Sequence, residues 1–359
     1  MKCLPHNKLP LAKGNVLHDW HAEVLAIRAF NRFLLDQCLS ISLPPHPTSD
    51  WVRQRSETEH IEHENQQFTI REDVRIHMYC SEAPCGDASM ELIMDAQEDA
   101  TPWTRPPPTV ADVSSDDNLL PTEHSALRGR SNFSHLGAVR CKPSRPDAPP
   151  TLSKSCTDKL ALTQATSLLS STASILMSPR NAYIDTLILP SSQHVPEACT
   201  RAFSTSGRFK DLADEGWKGG YQWKPFNVIS TTREFAWSRR NVPVGHKAMP
   251  SNMSAVYTAA WQETLIGGVL QGRKQFDPRG ASAICRRSMW ITATRLARVI
   301  GWPLSVYMLG QRMYREMKDA EGLAPRREVK AAVKSTALKG WVKNTGDDDF
   351  ELEAENGVS

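Results

Sequence analysis

A histidine and a carboxylate two residues apart, His21-Ala22-Glu23, stand at the head of a helical stretch, and Pro84-Cys85 follows a strand-like one. The flanking residues predict the elements that carry them. In WHAEVLAIRAFNRFLLDQ, Val24, Leu25, Phe30, Phe33 and Leu34 recur near helical spacing, and Asp19 suits an N-cap. DVRIHMYC alternates Val74, Ile76 and Met78, which predicts a strand, and Pro84 suits the opening of the next helix. AYIDTLILP predicts an apolar strand, and ICRRSMWITATRLARVI a buried helix carrying Arg286 and Arg287. Residues 311–341 read as helical and basic, and residues 43–70 as a polar loop or partial helix.

The net charge of +3 hides an asymmetry. Residues 344–359 hold six acids and no base, so residues 1–343 carry +9. A body that basic attracts a polyanion. No window approaches the ~18 consecutive apolar residues of a membrane span, and the N-terminus lacks a signal-peptide core. An intracellular protein, of nucleus or cytoplasm, is expected. The eight cysteines form no CxxC pair, so reduced thiols, some of them metal-bound, are expected rather than a disulfide scaffold. Nine of the 24 prolines fall in residues 101–150. With the Ser and Asp clusters between them, they make about 95–135 a disordered insert.

A catalytic zinc needs three protein ligands and one open position. His21 and Cys85 supply two, and Glu23 is placed to move protons rather than to bind metal. A His-x-Glu with a Pro-Cys-x-x-Cys marks zinc nucleobase deaminases, but here Ala88 stands where the second cysteine would be. Cys80, Cys141 and Cys156 are the candidates for the third ligand. Cys80 ends the strand and would point away, and Cys141 lies in a turn-rich stretch. Cys156 opens a helix, where backbone N–H groups favour a thiolate. Spacing slightly favours Cys156. Glu59-His60 with His63 is a weaker metal pattern in a polar stretch, and Gly267, Gly268 and Gly272 make no phosphate loop.

Taken in order, DWHAEVLAIR, YCSEAPCGDAS and VRCKPSRPD…SKSCTDKLAL resemble the adenosine deaminases that act on RNA. QGRKQFDPRGASAICRRSMW, YREMK and LKGW extend the likeness over nearly the whole chain except the Pro-rich insert. The single catalytic domain and the RxKPxRxD element resemble the branch that makes inosine at position 37 of tRNA. The resemblance implies one deaminase domain over residues 1–359, with the 95–135 insert and an acidic tail at 344–359. Its fold would be α/β, a cytidine-deaminase-like three-layer α/β/α core with a C-terminal elaboration. His21, Cys85 and Cys156 align with zinc ligands and Glu23 with the proton shuttle. Arg28, Lys159, Arg286, Tyr314, Lys318 and Trp341 align with a shell that holds inositol hexakisphosphate. Lys2 matches a lysine near the target nucleotide, and Arg140, Lys142 and Arg145 form a basic cluster for RNA phosphates. Hydrolysis of adenosine to inosine in tRNA, with tRNA-Ala as the family's substrate, is the activity implied. The expected partner is tRNA, with no membrane and no obligate protein partner, the chain being a monomer. Relatives carry a further strand and helix ahead of the position of Met1, so Lys2 is expected on a frayed end. Editing of double-stranded RNA and an inactive RNA-binding scaffold remain as alternatives.

Overall fold

The computed structural model describes residues 2–96, 101, 109–110, 126–129, 132–142, 149–212, 216–246 and 251–352. Helix α1 (Ala22–Ser42) leads to strands β1 (Val52–Gln54), β2 (Phe68–Ile70) and β3 (His77–Tyr79), then short helix α2 (Met90–Met94). Strands β4 (Thr109–Val110), β5 (Ala126–Arg128) and β6 (Arg140–Cys141) precede α3 (Cys156–Thr166), β7 (Thr186–Pro190), α4 (Pro196–Phe203) and β8 (Asn227–Thr231). Strands β9 (Met253–Tyr257), β10 (Gln262–Ile266) and β11 (Val269–Leu270) follow. Helices α5 (Arg286–Ile300), α6 (Pro303–Leu309), α7 (Tyr314–Asp319) and α8 (Ala324–Thr336) close the chain.

A parallel sheet in the order β3-β7-β8 forms the centre, with His77 opposite Thr186 and Thr186 opposite Asn227. The apolar run of β7 takes the middle position and buries Leu187 and Leu189 completely, as a strand covered on both faces must. All three strands run toward one edge, where the chain after β3 carries Cys85. Helix α1 buries Leu25, Ala29, Leu34, Leu35 and Cys38 and packs on α5. Each such buried leucine contributes roughly 1.5–3 kcal/mol relative to exposure. The α/β class that the resemblance implies holds, and no helix of the described residues is long and apolar enough to cross a membrane.

Four expectations are corrected here. Asp19 is not the N-cap of α1, because His21 takes that position. Asp19 instead lies on extended backbone bridged to Cys3 and turns its carboxylate inward. Lys2 is not frayed: its carbonyl accepts from Trp20 N at 2.9 Å, and its ammonium donates to Met253 O at 2.9 Å. The 95–135 segment is packed at its far end, where Ala126, Leu127, Asn132 and Phe133 are buried; residues 97–100, 102–108, 111–125 and 130–131 lie outside the described residues. The acidic stretch after Asn344 is not a solvated tail as far as residue 352. Asp347 is 4% exposed and accepts from Gly14 N at 2.7 Å, and Phe350 stacks on Tyr314 at 4.8 Å. Gly14 permits this closure. Its φ of +76° is strained for side-chain-bearing residues, and a Cβ there would sit 2.4 Å from the Phe350 ring.

Candidate metal centre and active site

His21 enters the site from the start of α1, and Cys85 from the loop after β3. Cys156 is the first residue of α3. The Cys85 loop and the start of α3 are clamped together. Thr157 N donates to Cys85 O at 3.0 Å, Thr157 Oγ1 to Pro84 O at 2.9 Å, and Cys156 N reaches Cys85 Sγ at 3.4 Å. Gly86 makes this approach possible. It has φ +113°, and a Cβ would lie 2.3 Å from Ser155 Oγ. The two thiols share a proton, and that hydrogen bond, helped by Lys142 against the cost of burial, pushes Cys85 down to about 6. Lys142 Nζ also stands 3.1 Å from Cys156 Sγ. The same contact and burial push Cys156 up, so of the two it is Cys85 that is drawn toward the thiolate, the form in which sulfur binds metal.

The imidazole is oriented by Asp19, whose Oδ1 lies 2.7 Å from His21 Nδ1. That leaves Nε2 as the free nitrogen, in the arrangement by which a carboxylate fixes a metal-binding histidine. Asp19 is itself a hub. Its Oδ2 accepts from Lys142 Nζ at 2.8 Å, from Ser153 Oγ at 2.7 Å, and from Lys159 Nζ. Burial pushes its carboxyl up, but Lys142, Lys159 and His21 together hold it well below the usual range. Glu23, in the first turn of α1, sits where its charge bears on Lys2, Cys85 and Cys156.

Cys3, Asp19 and His21 also bring donor atoms within 4.8 Å of one another. This second set converges on Nδ1, with Cys3 Sγ at 3.8 Å. Nδ1 is already held by Asp19, and burial together with Asp19 pushes the Cys3 thiol up. The Asp19 carboxylate is already shared by two lysines and a serine, which suits it to aim the histidine. The donor types present on either set, imidazole, thiolate and carboxylate, are those of zinc.

The basic cluster expected to contact RNA is not a surface. Arg140 is 2% exposed, and its guanidinium donates to the carbonyls of Gly129, Asn132 and His135. Lys142 is 5% exposed and belongs to the Asp19 hub. Arg140 opens β6 and Lys142 follows it, its N donating to Ser153 O at 2.7 Å, and both side chains turn inward. Arg145 lies outside the described residues. Lys2 stands beside Glu23 and the β9 strand, donating to Met253 O and Ser254 Oγ.

A second concentration of charge lies behind the metal centre. Arg28, Lys159, Arg286 and Trp341 line one cavity of about 220 Å³, with Lys154. Lys318 lines another of about 210 Å³, with Arg326, Lys330 and Lys343. Tyr314 lies between them, with Arg286 and Lys318 each 5.8 Å from its ring centroid. Burial, and then Arg326, Lys334 and Lys318, push Lys330 well below the ordinary lysine value. Lys330 has no hydrogen-bond or ion-pair partner among the described residues. The sequence reading missed Lys330 and Lys334, although Arg326, Lys330 and Lys334 repeat every fourth residue along one face of α8. Like charges at that spacing destabilise a helix unless an anion lies between them. His18 borders the first cavity. Burial and Arg286 push it down to about 4, against the pull of Asp347, whose Oδ2 lies 2.6 Å from its Nε2.

The adenosine-deaminase (editase) domain family matches residues 1–345. The chain belongs to that family. It is 34% identical over 353 residues to the tRNA-specific adenosine deaminase 1 of Schizosaccharomyces pombe, covering 97% of this chain and 82% of the relative. The protein of the same name from Saccharomyces cerevisiae is 34% identical over 172 residues, 47% of this chain and 39% of the relative. The double-stranded RNA-specific adenosine deaminase of Mus musculus is 29% identical over 89 residues, 25% of this chain and 7% of the relative.

Proposed function

We propose that the chain is a zinc-dependent hydrolase that converts adenosine 37 of a tRNA, with tRNA-Ala as its substrate, to inosine. The observation that carries the chemistry is the clamped Cys85–Cys156 pair, where the charges of both His21 and Glu23 bear on Cys85, with the His21 imidazole oriented by Asp19. His21, Cys85 and Cys156 would hold the metal, and the fourth position would stay open. Zinc there supplies a Lewis acid that lets water act as a nucleophile near neutral pH. Glu23 accepts a proton from the attacking water and delivers it to N1, which makes C6 more electrophilic. Water oxygen bonds to C6; Glu23 then takes the remaining proton of that C6 hydroxyl and gives it to N6, so that the C6–N6 bond breaks, ammonia leaves and the C6 carbonyl of inosine forms. An anticodon-loop base can be splayed into the pocket at less cost than a paired one.

What supports tRNA over duplex RNA is the extent of the likeness. It runs through 97% of the chain for a tRNA-specific enzyme and 25% for a duplex-specific one. The test is inosine formation in an anticodon stem-loop with adenosine at 37, against a long duplex carrying the same base. Faster editing of the duplex would overturn the substrate assignment.

The lysine- and arginine-lined cavities support a bound polyanion, inositol hexakisphosphate, held by Arg28, Lys159, Arg286, Tyr314, Lys318 and Trp341 with Lys154, Lys330 and Lys334. The uncompensated Lys330 fits such a guest and is costly without one. A nuclear or cytoplasmic site of action follows from a tRNA substrate, and a monomer is the assembly proposed.

A further inference from the structure

The chain leaving β8 folds back over the end of β3, next to the loop that carries Cys85. Tyr79 Oη donates to Arg233 O at 3.2 Å. Arg240 donates to Ser81 O at 2.6 Å and pairs with Glu82 at 2.9 Å and Glu234 at 2.8 Å. Ser192 Oγ donates to Glu234 at 2.6 Å. Ser238 is buried, and Asn241 ties the turn to Phe235 O at 2.8 Å. The backbone of residues 233–241 is thus fixed from several directions.

The side chains it presents are unlike those of an ordinary solvated turn. Trp237 is 87% exposed and Phe235 48%, with Tyr79 at 40% beside them. Neighbouring large apolar residues on a fixed support mark a binding surface. Arginines are interleaved with these rings. Arg233 has no side-chain partner among the described residues, and Arg239 holds Glu82 only loosely at 3.4 Å with its side chain 68% exposed. The nearby acids Glu82 and Glu234 are occupied by Arg240. Exposed ring faces beside exposed guanidinium groups, one unpaired and one only loosely paired, are complementary to unpaired nucleotides, with bases stacked on the rings and phosphates met by arginine. The position is also right. Arg240 is anchored to Ser81, four residues before Cys85, a chain length of at most about 14 Å.

We propose that Trp237 and Phe235 form a stacking platform for an unpaired base flanking the target adenosine, with Arg233 and Arg239 on its backbone. The platform rests on the tRNA reading given above and adds the residues that select a single-stranded loop.

The experiment measures binding of an anticodon stem-loop to the full chain in a Glu23→Ala background, and kcat and KM in the active one. Trp237→Ala should weaken binding and raise KM about tenfold, with kcat and zinc content unchanged. Trp237→Phe should restore most of the loss. Removing the base on one side of the target should weaken the wild type but cost Trp237→Ala nothing further, the signature of two groups in contact. Undiminished RNA affinity in Trp237→Ala would overturn the platform. So would base-removal losses that add to the substitution at both flanking positions, or a change in self-association with RNA binding intact. Wild-type deamination of the stem-loop is read separately, so failure of the substrate assignment cannot be mistaken for failure of the platform.

Discussion

Asp19 Oδ1 lies 2.7 Å from His21 Nδ1, while the other oxygen of the same carboxylate accepts from Lys142 Nζ at 2.8 Å. One buried acid therefore aims the imidazole at the metal position and neutralises the ammonium that faces Cys156 Sγ. Asp19→Asn keeps the size of the side chain but loses the charge. Zinc affinity should fall about 10–100-fold, as for other carboxylate partners of metal-binding histidines. Competition with a chelator reads this directly. Unchanged zinc affinity would mean that Asp19 serves only to hold the two lysines.

Two donor sets share His21, and substitution separates them. Cys85→Ala and Cys156→Ala should each abolish stoichiometric zinc, because the clamp sets Cys156 N on Cys85 Sγ and the two thiols in hydrogen-bond contact. Cys3→Ala should retain zinc, since the Asp19 it would share the metal with is already held by Lys142, Lys159 and Ser153, and so should Cys80→Ala and Cys141→Ala. Elemental analysis of the purified variants decides. Full zinc in Cys156→Ala with loss in Cys3→Ala would move the metal to the Cys3, Asp19 and His21 group.

Glu23 needs no role in holding the metal. Glu23→Ala should therefore keep zinc and lose inosine formation by at least ~10²-fold, the ordinary size of general acid–base catalysis. Its binding of the stem-loop should stay near that of the wild type. An active Glu23→Ala enzyme would remove the carboxylate from the proton path.

The residues proposed to hold the metal were singled out because they sit at element boundaries. A histidine at a helix start, a cysteine after a strand and a cysteine opening a helix leave traces in local pattern. Central strand β7 was equally plain, since burial on both faces leaves a continuous apolar run. The β9–β10 hairpin and the β1–β2 pair were not read, because their faces are partly exposed and the alternation is broken by polar residues. Arg140 and Lys142 were misread for a different reason. Nothing local distinguishes a surface lysine from one whose partner, Asp19, lies 123 residues away. Asp347 is the same case, an acid in an acidic run that long-range pairing with Gly14, His18 and Arg286 draws into the core.

The cationic cavities make a prediction about pH. Burial and neighbouring cations push Lys318, Lys330 and Lys334 below their ordinary value. Between these lowered folded values and the unfolded lysine value of about 10.4, the unfolded chain binds more protons than the folded one. Stability should rise with pH as it approaches that value, and the penalty should be fully present at low pH. The buried thiols Cys38 and Cys80 are pushed up by burial and pull the opposite way above their unfolded value of about 8.5. The informative quantity is therefore the difference between wild type and Lys330→Met in denaturant titrations from neutral pH to pH ~9.5. Without a polyanion, Lys330→Met should be the more stable at neutral pH, with the gap closing as pH rises. Saturating inositol hexakisphosphate should reverse the order, because the bound anion stabilises only the form that retains the lysine charge. If added polyanion leaves both the gap and its pH dependence unchanged, the cavities do not hold one, and the cations of α8 are simply tolerated.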